Sequence, residues 1–528
     1  MRLLTAFLFR VRGSSHCTRS PSLFLLPSIC IRTRFYRQLL QSVHISSRTM
    51  TDVEASLTPL FSTIDSLSSD FTSRLSKAVS IPSVSADLTL RPKVVEMAHF
   101  IKGELTALGA EIELRELGKQ EGTNVDLPPI VLGRYGNDPK KRNILVYGHY
   151  DVQPALVEDG WDTEPFQLVE KDGKLVGRGS TDDKGPVMGW INSIQAHQKA
   201  GIEFPVNLVM CFEGMEEYGS DGLDDLIRAE KDKFFKGVDA TCICDNYWLG
   251  TSHPVLTYGI RGCSYYSVTV SGPSADLHSG IFGGMVSEPL IDLTHILSKL
   301  VSPQGKILIP GIMDMVVPLT PEEEKLYDDI KYSMDDLYAA TGSKTNLFDT
   351  EKESLMARWR YPTLSLHGVE GAFSAPGAKT VIPAKVSGKF SIRTVPNITP
   401  RELDECVSKY VNTVWKELGS KNKMEIKLMH DGMWWLSSPD HWNFEAAKKA
   451  TKAVWKVDPD FTREGGSIPV TLTFEEELKK NVLLLPMGRG DDGAHSINEK
   501  LDLINYINGV KTLSAYLHYA AVQPMAGA

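Results

Sequence analysis

The sequence predicts an α/β fold, a mixed and mostly parallel sheet covered by helices and interrupted by an inserted α+β unit. Three observations predict it. From Met50 onward, helix-period segments alternate with short apolar runs, the pattern of a sheet with covering helices. Between about residues 258 and 430 the texture changes to apolar–polar alternation, which belongs to antiparallel strands with one solvated face. The carboxylates and histidines best suited to chemistry lie on both sides of that middle segment, so the two flanks must meet.

Residues 1–49 hold eight arginines, many serines and no Asp or Glu. That is the composition of a mitochondrial transit peptide, whereas the apolar run at 3–9 is too short for a secretory signal. The competing reading makes Met50 the working start. Residues 57–80 and 92–108 read as amphipathic helices. Five apolar runs, 129–132, 144–147, 206–212, 240–244 and 482–485, are rich in β-branched residues or Leu and bounded by Gly, Asp or Pro, so they read as buried strands. In the middle, 264–270 and 385–392 alternate as strands do, 289–300 and 400–418 read as helices, and the acidic stretch 321–336 reads as a solvated helix face. The expected organisation is an extension at 1–49, a main domain begun by 50–257, an inserted unit at 258–431, and 432–528 returning to complete the first sheet.

The chain has 528 residues, 57 Lys+Arg against 66 Asp+Glu, a net charge of −9, and 42% hydrophobic residues. This excludes a disordered chain or a small disulfide scaffold. The mild acidity offers no electrostatic footprint for nucleic acid or an anionic membrane. No run of 18 apolar residues occurs, so no membrane-spanning helix is expected. Seven scattered cysteines, an odd number, fit a reducing compartment such as the cytoplasm. Gly488-Arg489-Gly490-Asp491-Asp492-Gly493 matches the dinucleotide fingerprint, but its two carboxylates would repel a pyrophosphate and too little chain remains for a second βαβ half. The sequon Asn397-Ile398-Thr399 comes without a secretory signal. Cys242 and Cys244 read as strand residues rather than a thiolate site, and Met433-Trp434-Trp435 as packing at a seam.

The residues best suited to chemistry come directly after the apolar runs. Gly148-His149-Tyr150-Asp151 succeeds one run, Glu213-Gly214-Met215-Glu216-Glu217 another and Asp245 a third, while a glycine-rich turn ending in Gly493-Ala494-His495 succeeds the last. Asp182-Asp183 adds a further acidic pair. In open α/β sheets ligands bind beyond the carboxyl ends of strands, where these motifs would converge. Neighbouring carboxylates disfavour joint ionisation unless a cation compensates, and a His/Asp/Glu set without thiols suits Zn²⁺ or Mn²⁺. His149, Asp182, Glu217, Asp245 and His495 supply the five ligands that two metals sharing a carboxylate require. Asp151 is placed to receive the second imidazole N–H of His149, and Glu216, beside a ligand yet not needed as one, to take a proton from water.

The motifs G-H-Y-D-V-Q-P at 148–154, G-R-G-S-T-D-D-K-G-P at 177–186, E-G-M-E-E at 213–217, D-N-Y-W-L at 245–249, L-H-S-G at 277–280, E-G-G-S-I-P-V at 464–470 and D-D-G-A-H-S at 491–496 resemble, in order and spacing, the M20 metallopeptidase family. The likeness runs from about Met50 to the C-terminus and falls in the branch of cytosolic nonspecific and carnosine dipeptidases that includes fungal Cys-Gly metallodipeptidases. It implies a homodimer of two-domain subunits, a di-metal catalytic domain interrupted by a lid that also dimerises. Asp182 would bridge the metals, His149 and Asp245 would complete one site and Glu217 and His495 the other, with Glu216 as general base and Asp151 behind His149. The resemblance also implies that His278 reaches across the dimer to the partner's oxyanion, that Arg393 clamps the substrate carboxylate, and that Thr380 and Ser467 hydrogen-bond substrate. The implied reaction is hydrolysis of dipeptides with a free carboxylate, such as Cys-Gly. Two other readings share parts of the pattern: an N-acyl-amino-acid deacylase on the same metals, and a non-catalytic scaffold subunit of a glutathione-degrading assembly. The expected location is cytoplasmic, or mitochondrial if 1–49 acts as a transit peptide.

Overall fold

Strands buried on both faces leave their backbone groups no partner except one another, and the apolar runs pair accordingly. The computed structural model describes residues 50–525; the extension at 1–49 lies outside the described residues. Thirteen strands build two main sheets. They are β1 (Glu111–Arg115), β2 (Ile130–Tyr135), β3 (Asn143–His149), β4 (Asn207–Glu213), β5 (Ala240–Ile243), β6 (Val255–Ile260) and β7 (Gly262–Ser271). Then come β8 (Thr363–Glu370), β9 (Lys385–Thr394), β10 (Lys423–Gly432), β11 (Trp435–Leu436), β12 (Asp460–Glu464) and β13 (Val482–Leu484). The nine-stranded sheet has the order β1-β2-β4-β3-β5-β13-β6-β11, with β12 beside β6. Its centre, β4-β3-β5-β13, is parallel, as is the β12-β6 pair, while β1-β2, β2-β4, β13-β6 and β6-β11 are antiparallel, so the sheet is mixed with a parallel centre rather than mostly parallel. All five apolar runs lie here.

Alternate side chains of these strands serve two cores. Ile144 and Val146 pack with helices Met50–Ser66, Lys184–Ala200, Trp442–Trp455 and Leu503–Val522, while Leu145 and Tyr147 pack with Leu223–Glu230 and Pro469–Leu478. The helix expected at 57–80 is instead two, Met50–Ser66 and Ser68–Val79, broken at Leu67. Serines at the break compete for the backbone: the Ser66 hydroxyl donates to the Thr63 carbonyl at 2.7 Å. The second expected helix is Arg91–Ala107.

The smaller sheet, β8-β9-β7-β10, is antiparallel. Burial alternates along β7 as the sequence predicts, and Tyr266, Val268 and Val270 form a separate core with helices Pro289–Leu300 and Pro400–Leu418. The sequon is a helix start: the Thr399 hydroxyl accepts from Glu402 N–H, and the Glu402 carboxylate accepts from Thr399 N–H. Arg261 links β6 to β7, and Met433 and Trp434 link β10 to β11, so these are the two crossings between sheets. The acidic stretch 321–336 is less solvated than expected. It forms helices Pro321–Asp329 and Met334–Thr341, and its Tyr327 packs with Leu355 and Trp359 against Trp248 and Leu249. Those two residues lie just past Asp245, so this excursion walls the mouth of the central strands.

Candidate active site

Each central strand delivers one piece of the site at its carboxyl end. His149 closes β3, in register with Glu213 at the end of β4. A single turn of 3-10 helix, Glu216–Tyr218, then carries Glu216 and Glu217. Asp245 lies just past β5, and the loop after β13 leads to His495. Asp182 comes from the loop ahead of helix Lys184–Ala200, where its peptide bond to Asp183 is cis. Gly185 lets that helix start against its own loop, since a Cβ there would lie 2.2 Å from the Ser180 carbonyl oxygen.

All five sequence-predicted ligands come together. The His149 Nε2 lies 3.0 Å from Asp182 Oδ1 and 3.6 Å from Asp245 Oδ1. The His495 Nε2 lies 3.1 Å from Asp182 Oδ2 and 3.0 Å from Glu217 Oε2. Two triads result, His149–Asp182–Asp245 and Asp182–Glu217–His495, each with ligand atoms within 4.8 Å of one another, and Asp182 offers one oxygen to each. The His149 Nδ1 faces Asp151, 3.1 Å from its carbonyl oxygen and 3.4 Å from its carboxylate. The Asp151 carboxylate also accepts from the N–H groups of Glu216 (3.2 Å) and Glu217 (3.1 Å), so it orders both loops. Glu216, Asp182, Asp245, Ser467 and His495 line one cavity of about 430 Å³.

The electrostatics arise from crowding carboxylates out of water. Burial opposes a charge on His149, but Asp245, Asp151 and Asp182 outweigh it and raise its pKa well above the ordinary value. Hydrogen bonds to Asp182 and Glu217 push His495 up to about 11. Against burial, the two imidazoles hold Asp182 well below the carboxylate range. Burial pushes Asp245 up to about 6 and raises Glu216 well above its ordinary value. The cluster therefore favours positive charge, and its donors, imidazole nitrogen and carboxylate oxygen with no thiol, fit a divalent cation of the zinc or manganese kind. A third carboxylate group, Asp491, Asp492 and Asp502, already surrounds a cation of the chain itself: Lys500 Nζ lies 2.8, 2.7 and 2.6 Å from them.

The recognition residues are placed differently. Arg393 Nη1 donates to the Ser467 hydroxyl at 3.0 Å, which brings those two together beside the cavity. His278 is exposed on a two-residue strand paired with Val381–Ile382, and Ser279 N–H donates to the Thr380 carbonyl at 3.1 Å. Of the four, only Ser467 lines the cavity; Arg393, His278 and Thr380 do not. Sequence reasoning gives no separate role to Asp183, which accepts from His149 N–H at 3.1 Å, or to Glu464, which lines the cavity and pairs with Arg358 at 2.7 Å. The E-G-G-S-I-P-V motif contains the second of these without marking it. The G-x-G-x-x-G segment is packed against side chains rather than open as a phosphate cradle: a Cβ on Gly488 would lie 2.6 Å from the Thr181 hydroxyl and 2.5 Å from Asp492 Oδ2.

Residues 145–519 match the model of peptidase family M20/M25/M40. The chain is 61% identical over 476 residues to a Cys-Gly metallodipeptidase of Schizosaccharomyces pombe, covering 89% of this chain and 100% of that one. It is 43% identical over 465 residues to the Beta-Ala-His dipeptidase of Rattus norvegicus, covering 87% and 94%. The structure is similar to that of the di-peptidase Dug1p of Saccharomyces cerevisiae, with a TM-score of 0.85 at 60% identity over 89% of this chain and 99% of that one. It is also similar to human carnosine dipeptidase 1, with a TM-score of 0.84 at 42% identity over 88% and 98%.

Proposed function

The chain belongs to peptidase family M20/M25/M40 and is a metallodipeptidase, and we propose that its substrates are dipeptides with a free C-terminal carboxylate, Cys-Gly among them. One observation carries this reading: two triads that share Asp182 beneath a cavity that also holds Glu216. His149, Asp182 and Asp245 would hold one divalent cation, and Asp182, Glu217 and His495 a second, zinc or manganese. When bound, the cations lower the pKa of a coordinated water and polarise the scissile carbonyl. Glu216, which lines the cavity, takes a proton from the attacking water and delivers it to the leaving amine as the C–N bond breaks. Asp151 holds the Glu216–Glu217 turn through the two N–H groups it accepts.

Arg393 receives the substrate carboxylate on its planar fork, with Ser467 beside it. Thr380 hydrogen-bonds substrate, and His278 acts in the site of a second subunit, donating to the carbonyl oxygen as negative charge develops there. That role makes the enzyme a homodimer in which 258–431 serves as lid and dimerisation unit between the catalytic segments 50–257 and 432–528. The exposure of His278 and its absence from the cavity lining of its own chain support this. Five free cysteines among the described residues support a cytoplasmic location. Initial rates on Cys-Gly, Ala-Gly and an N-acetyl amino acid test the reading. Dipeptides are expected to be hydrolysed much faster, and a preference for the N-acetyl amino acid would contradict it.

A further inference from the structure

We propose that Glu499 is a positioning residue for the metal site, joining the loop of the shared carboxylate Asp182 to the loop of His495. Glu499 is fully buried and does not line the cavity. Its Oε1 accepts from the N–H groups of Thr181 (3.0 Å) and Asp182 (3.1 Å). Its Oε2 accepts from Gly179 N–H (3.0 Å) and Arg178 Nη1 (2.7 Å). Its own carbonyl accepts from Gly177 N–H at 2.9 Å. One side chain thus receives three backbone N–H groups of the loop that presents Asp182, including that of Asp182 itself.

The other end of this brace is the histidine loop, to which Glu499 belongs. Arg178 extends its second arm to the Ser496 carbonyl at 3.0 Å, next to His495, and its guanidinium lies over the Trp161 ring. The Thr181 hydroxyl donates to Asp492 Oδ2 at 2.8 Å, on the same loop. Two consecutive N–H groups converging on one oxygen fix the backbone at Asp182. Its side chain can then offer Oδ1 to His149 and Oδ2 to His495. The brace requires a carboxylate, because every partner is a donor. An amide at 499 would turn an NH₂ group against either the Thr181 and Asp182 pair or the Gly179 and Arg178 pair. A buried acid so near other acids is costly unless paired, and Arg178 supplies the pair.

The inference rests on the proposed metal binding and is separable from it. Metal-free wild type and Glu499→Gln are titrated with Co²⁺ against a chromophoric chelator, and the visible Co²⁺ absorption and the melting temperature gained on loading are recorded. Glu499→Gln is expected to bind at least about tenfold more weakly, with an altered Co²⁺ band and a smaller gain in melting temperature. Equal affinity and an unchanged band would overturn the inference alone, whereas wild type that binds no Co²⁺ would overturn the metal binding itself. If Glu499→Gln does not fold, Arg178→Lys takes its place, since it replaces with one nitrogen the two that now hold Glu499 and the Ser496 carbonyl separately. Weaker binding supports the brace, and wild-type affinity refutes it.

Discussion

The proposed metal half of this site and its proposed recognition half are built by opposite rules. His149, Asp182, Glu217, Asp245 and His495 meet within one chain, four of them withdrawn from water around a shared carboxylate. His278 stands exposed on a two-residue ribbon with exposed Thr380 next to its partner strand, and neither lines the cavity of its own chain. Groups that bind cations and move protons need rigid, desolvated places, where burial and neighbouring charges set their pKa values. Groups that recognise a substrate arriving from solvent need access to it, and a mobile or neighbouring element can bring them to the site only when it is assembled.

Substitutions in each half should therefore fail in different ways. Glu216→Gln should lower kcat for Cys-Gly by about 10³-fold while metal content stays unchanged, read by steady-state kinetics and metal analysis. An unchanged kcat would remove the proton-transfer role from the metal half. His278→Ala should lower kcat by about 10²-fold, as loss of an oxyanion donor does. Mixing inactive Glu216→Gln and His278→Ala subunits should restore activity, because each heterodimer contains one intact site. No recovery on mixing would return His278 to its own chain and erase the contrast. Arg393→Met should lower kcat/KM by about 10- to 100-fold, the loss of a charge-assisted hydrogen bond, with a smaller effect on kcat.

The smallest effect is a pH dependence under the metal half. Burial pushes Glu213 up to about 7, although Tyr147 and Ser220 donate to its Oε1. A carboxyl with a raised folded pKa contributes stability that is complete below its ordinary value of 4.5 and lost as pH rises through about 7. Glu213→Gln keeps an acceptor for both hydroxyls and removes the charge. In metal-free protein its melting temperature should therefore exceed that of wild type by a few degrees at pH 8 and by less at pH 5. A gap that widens toward pH 5 would contradict this.

The metal half is largely legible in the sequence, because its ligands sit directly after apolar runs too short and too β-branched to be helices. That local signature places His149, Glu217 and Asp245 at strand ends without any long-range information. Glu499 and Arg178 carry no such mark: their meaning lies in a pairing across 321 positions of the chain, which no local pattern encodes. Residues 321–336 mislead for a related reason, since their acidic side chains hide the apolar contact Tyr327 makes with Trp359. His278, Thr380 and Arg393 stand out only through family resemblance. An exposed histidine and a strand arginine look the same whether or not they touch a substrate.

The proposed mechanism depends on cations held by this chain's own triads, and a metal titration of Cys-Gly hydrolysis tests that most directly. Exhaustively chelated protein should be inactive and should regain turnover with added Zn²⁺ or Mn²⁺, levelling off at two equivalents per chain. Hydrolysis at an undiminished rate after exhaustive chelation would contradict it.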